Sequence, residues 1–162
     1  MTQQSASTFP IILSLLPAIL ILLSVVLGIR YRLKSIQPIR IPDVISPDGF
    51  KVPIVGGYWG TKSLPKLVAL AHNNANPLLV LYEDRILTRA IFSKKTYAYQ
   101  QIEKVDVTEA IMTENINLYI RDSNSIVSFN VYSRDNLREV VGFLDRKGIS
   151  LTENARRFIS SQ

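Results

Sequence analysis

The chain has 162 residues, with 19 Lys and Arg against 13 Asp and Glu, a formal charge of +6, one histidine and no cysteine. That length holds one modest domain with accessory segments. The missing cysteines exclude a disulfide scaffold, a thiol nucleophile and a thiolate metal site, and His72 alone excludes a histidine-rich metal site or a two-histidine mechanism.

Charge is distributed unevenly, because no charged side chain precedes Arg30. Residues 9–29 read FPIILSLLPAILILLSVVLGI, and a helix of that length extends about 30 Å, the thickness of a bilayer's hydrocarbon core. This run predicts a single transmembrane helix after a short extracytoplasmic N-terminus over residues 1–8. Pro10 falls in the first turn, while Pro17 lies inside and predicts a kink that membrane helices tolerate. A cleaved signal peptide would need a basic n-region and a small-residue cleavage site; residues 1–9 carry neither Lys nor Arg, and Leu27-Gly28-Ile29-Arg30 lacks the cleavage pattern. Arg30, Arg32, Lys34 and Arg40 precede the first acid, Asp43. This bias orients the N-terminus outside and the remainder in the cytoplasm of a cell membrane. The basic group suits topology and snorkelling to anionic head groups. Ser14/Ala18 and Ser24/Gly28 are small pairs at helical spacing, a pattern that permits close helix approach. Residues 30–49, with Pro38, Pro42 and Pro47, predict a basic juxtamembrane segment and an extended stalk.

Residues 50–162 predict a mainly antiparallel α+β domain. Phe50, Val52 and Ile54 alternate, with Pro53 confining that strand to an edge. Ser63 to His72 reads as a helix, capped by Ser63 with Pro65 in its first turn, and ended by Asn73, Asn74, Asn76 and Pro77. Leu78–Tyr82 is an apolar run, Arg85–Ser93 alternates after a Glu83-Asp84 turn, and Tyr97–Val107 follows the Lys94-Lys95 turn. The odd spacing of Ile102 and Val105 predicts a bulge or local turn near Glu103. Ile116, Leu118 and Ile120, then Val127, Phe129 and Val131, give two more strands around the Asp122–Ser125 turn. Connections this short predict an antiparallel meander. Leu137, Val140, Val141 and Leu144 define a helix, capped by Ser133 or Asp135 and closed by Lys147 and Gly148. Ser150-Leu-Thr-Glu153 predicts a capping box that opens a second helix with Ala155, Phe158 and Ile159 inside.

Leu79-Val-Leu-Tyr-Glu-Asp-Arg-Ile86, the spacing of Tyr97, Tyr99, Ile102, Val105 and Val107, and the strand pair before Leu137 together resemble the bacterial pleckstrin-homology-like (PH-like) domains of small membrane proteins. The resemblance covers about the last ninety residues. It implies a bent sheet or partial barrel with a C-terminal helix at one open end, and a scaffolding, assembly or sensing role without catalysis. It supplies no ligand residues.

Gly56-Gly-Tyr-Trp-Gly-Thr-Lys62-Ser63 has part of a phosphate-loop pattern, but Thr61 stands where that motif wants glycine. The antiparallel remainder also lacks the strand–helix units of such folds. A glycine-rich turn is the plainer reading, and an NTP-binding enzyme the remote one. Tyr58 and Trp59 suit a membrane or protein interface, and equally the edge of a core. Lys94, Lys95 and Tyr97 form a hairpin tip able to meet acidic lipid or protein; lysines there also blunt a sheet edge. The expectation is therefore a non-catalytic, single-pass membrane module without metal or cofactor. Its partners are the bilayer and another protein or a further copy, not nucleic acid. The alternative is an anionic-lipid sensor using Arg30, Arg32, Lys34, Lys94 and Lys95.

Overall fold

A computed structural model describes Pro17 and residues 19–28, 37–63, 71–73, 76–90, 94–110, 113–131 and 133–161. The chain divides into two compact units, Met1–Lys34 and Ser35–Gln162.

In the first unit, Pro17 and residues 19–28 are helical (α1). Each side chain of 19–28 is exposed, and its large apolar members retain between 43% and 66% of their surface. Ser24 Oγ donates to the Leu20 carbonyl at 2.8 Å, so its hydroxyl proton is satisfied inside the helix. Among the described residues no helix is long and apolar enough to cross a membrane. The rest of the expected 9–29 span, apart from Pro17, lies outside the described residues, as do Arg30, Arg32 and Lys34.

The second unit is α+β, with two antiparallel sheets. The four-stranded sheet has the order β1-β4-β5-β6, formed by Phe50–Lys51 (β1), Leu78–Leu81 (β4), Arg85–Arg89 (β5) and Lys95–Ala98 (β6). The five-stranded sheet has the order β3-β2-β9-β8-β7, formed by Gly56–Thr61 (β2), Ala71–Asn73 (β3), Ile102–Ala110 (β7), Thr113–Ile120 (β8) and Ser125–Val131 (β9). The single antiparallel meander expected from the sequence is thus divided between the two sheets, as β4-β5-β6 and β7-β8-β9.

One bent segment belongs to both sheets. Phe50 and Lys51 pair with Leu81 and Val80, and Val52 N–H donates to Leu79 O at 2.9 Å. Three residues later Val55 N–H donates to Asn130 O, and β2 continues along β9. Pro53, which has no N–H to offer a ladder, occupies the crossing, and Val52 and Ile54 are buried beside it. Gly57 permits the close approach there: a Cβ on it would lie 2.8 Å from Ala90 Cα. The glycine-rich segment expected as a turn is therefore a strand.

The helix expected from Ser63 to His72 is not continuous, because Ala71–Asn73 form β3 against β2; residues 64–70 lie outside the described residues. The expected Tyr97–Val107 strand is also divided. A 3-10 turn at Tyr99–Gln101 carries the chain from one sheet to the other, with Tyr99 buried and its hydroxyl donating to Tyr82 O at 2.6 Å. The register shift falls at Glu103, between the pairs Ile102–Ile120 and Lys104–Tyr119.

Side chains of Val105, Val107, Ile116, Leu118, Val127 and Phe129 line the core, where Leu137, Val140, Val141, Phe143 and Leu144 of helix Arg134–Arg146 (α2) join them. Ser133 caps α2, and Gly148 follows its end with a φ of +78°. The helix Glu153–Ser160 (α3) is capped by Thr152 rather than Ser150. Ser150 and Leu151 stay extended because Val105 donates to Ser150 O and Thr152 N–H donates to Val105 O, each at 2.9 Å, along the outer edge of β7.

The expected stalk is instead laid on the domain from residue 37 onward. Asn136, fully buried in the first turn of α2, accepts from Ile39 N–H through Oδ1 and donates to Gln37 O through Nδ2, both at 2.8 Å. Ile41 N–H donates to Glu139 Oε1 at 3.0 Å and Ile45 N–H to Glu83 Oε2 at 3.3 Å. Ile41 and Ile45 enter the core. Proline keeps this segment extended, as the sequence suggests, but its apolar side chains have a bed to fill.

Candidate interaction surfaces

The residues singled out in the sequence fall on different parts of the fold. Tyr58 and Trp59 are neighbours on β2, so their side chains leave opposite faces of the five-stranded sheet. Trp59 packs against the core, and its buried Nε1 has no hydrogen-bond partner among the described residues. Tyr58, opposite Ser128, is half-buried on the other face. From Ser128 a chain of bonds crosses the next strands: Ser128 Oγ donates to Asn117 Oδ1 at 2.6 Å and Asn117 Nδ2 donates to Thr108 Oγ1 at 3.1 Å.

Lys94 and Lys95 are exposed at the start of β6, in the other sheet. Tyr97 pairs with Ile86 and packs against the core, and burial pushes its phenol pKa upward. The outer edge of β6 is short, begins with lysine and has its Ala98 N–H taken by Gln101 Oε1 at 2.8 Å. An edge so blunted resists the addition of another strand. Arg40 is exposed on the segment leading into the domain.

The phosphate-loop reading finds no cradle. Backbone groups of Gly56–Thr61 serve ladders to β9 and, in part, β3. Lys62 Nζ donates to Glu103 Oε2 at 2.6 Å instead, at the β7 bulge. That bond, with Lys62, Lys104 and Arg121 nearby, holds the Glu103 carboxyl below its usual range. Among the described residues no group of three or more His, Cys, Asp and Glu side chains is arranged to hold a metal ion.

Two features had little sequence signal. Glu83, in the β4–β5 turn, receives Lys147 from the end of α2 as well as Ile45 N–H, and these bonds lower its pKa in that order. Glu114 lies directly across from Glu109. Burial raises its pKa, opposed by Arg134 at 3.8 Å. No protein-family profile matches the chain, and no curated protein does.

Proposed function

We propose that this chain is a non-catalytic, single-pass membrane protein whose second unit is a PH-like module for protein interaction, assembly or sensing at the cytoplasmic membrane face. The observation that carries the reading is α1. Residues 19–28 contain nothing ionisable and are exposed around the whole helix, so no polar side is available to face water while an apolar side faces a core. Lipid satisfies such a surface, and the charge-free sequence extends from residue 9 to residue 29. The bent first strand shared by two meanders, followed by an amphipathic helix, supports the PH-like part. Confinement to a bilayer raises effective concentration, which lets a weak contact assemble a complex.

Membranes from cells making the full chain test the anchor. An alkaline wash leaves an integral protein in the pellet, and recovery in the supernatant overturns the reading. Crosslinking in the same membranes, followed by identification of the linked protein, separates self-association from binding to another chain; absence of any linked species would remove the assembly role.

A further inference from the structure

Residues 37–45 are held differently from the rest of the domain. They form no strand, and Ile39, Ile41 and Ile45 donate their backbone N–H groups to side chains: Asn136, Glu139 and Glu83 respectively. Their departure therefore breaks no sheet ladder. Between the two buried side chains, Ile41 and Ile45, residues 42–44 are exposed, with Val44 keeping 80% of its surface. Asn136 grips the segment on both its donor and acceptor groups, at the segment's N-terminal end.

We propose that residues 37–45 are a releasable strap, which opens as one unit while both sheets stay folded and thereby uncovers the apolar bed of Ile41 and Ile45 beside α2. Tension arriving along the chain from the N-terminal segment meets the Gln37–Asn136 bond first and peels the strap from that end. Segments that open below the global unfolding energy are those with few buried apolar contacts and few backbone ladders; the strap has no ladder, and of its nine residues only Ile41 and Ile45 are fully buried. The bonds it rests on lie within Ser35–Gln162, so the proposal does not require residues 1–34 to lie in a bilayer.

Amide-resolved hydrogen exchange on the full chain in detergent micelles tests it. The Ile39, Ile41 and Ile45 amides should exchange at a common rate, protected relative to free peptide yet at least about tenfold faster than Ile116 and Leu118 in β8. Asn136→Ala should speed all three together by about tenfold and leave β8 unchanged. Glu139→Ala removes a half-buried acceptor that, among the described residues of the strap, serves Ile41, and should still accelerate Ile39 and Ile45. Strap amides that exchange at the β8 rate, that show no protection, or that respond to Glu139→Ala only at Ile41 would overturn the proposal.

Discussion

Single atoms decide two features of this fold. At Gly57 the absent Cβ is what lets β2 pass the end of β5, since the atom it would meet at 2.8 Å is backbone, Ala90 Cα, and cannot rotate away. Gly57→Ala should destabilise by about 1–3 kcal/mol, the usual cost of forcing volume into a packed site, read as a lower thermal midpoint. At Glu114 the sign depends on pH. Burial raises its folded pKa above the ordinary 4.5, so the folded chain keeps the proton to higher pH than the unfolded chain. The associated stability is present below the unfolded value and is lost as pH rises through the folded one. Glu114→Gln should therefore raise the thermal midpoint at pH 7, and this advantage should close at pH 4. Arg134, half-exposed and lying over the Phe158 ring, is able to return to water when its partner becomes neutral. An equal gain at both pH values would contradict the burial argument.

Helices show how far local pattern reaches. The apolar spacing of α2, its Ser133 cap and Gly148 were legible because they depend on neighbours three or four positions away. The second cap shifted from Ser150 to Thr152 because Val105, 46 positions away from Leu151, holds residues 150–151 extended. Thr152 then accepts from Ala155 N–H while donating to the buried Asp106. Thr152→Ala should cost about 1–3 kcal/mol, combining the lost cap with a carboxylate deprived of one donor, whereas Thr152→Ser keeps both bonds and should stay within about 0.5 kcal/mol. Urea midpoints compare them. The strap lies at the other extreme: prolines announced extension, but its contacts with Asn136 and Glu139 span 97 and 98 positions. Glycines at 56, 57 and 60 similarly suggested a turn because close approach to another strand leaves no local mark. The candidate surface was legible only as residue type; which of Tyr58 and Trp59 faces the core depends on register.

For the whole molecule, the two units give different truncation outcomes from the boundary that the proline-rich sequence suggests. Removing Met1–Lys34 takes away the apolar helix and leaves every described bond of the strap in place. That fragment should be soluble, monodisperse and cooperative in melting. Removing residues 1–49 takes the strap as well, and the balance is close. Burying Ile41 and Ile45 is worth about 3–6 kcal/mol, and the four strap bonds add on the order of 6. Ordering nine residues costs on the order of 9–18. The shorter fragment should therefore retain its sheets, seen as an unchanged far-ultraviolet circular dichroism spectrum. It should also bind a hydrophobic dye and elute as an oligomer, because the bed of the two isoleucines is left open. Loss of the sheet spectrum in the shorter fragment would instead make those residues an inseparable part of the core, and a dye-silent monomer would mean that they cover nothing apolar enough to be recognised.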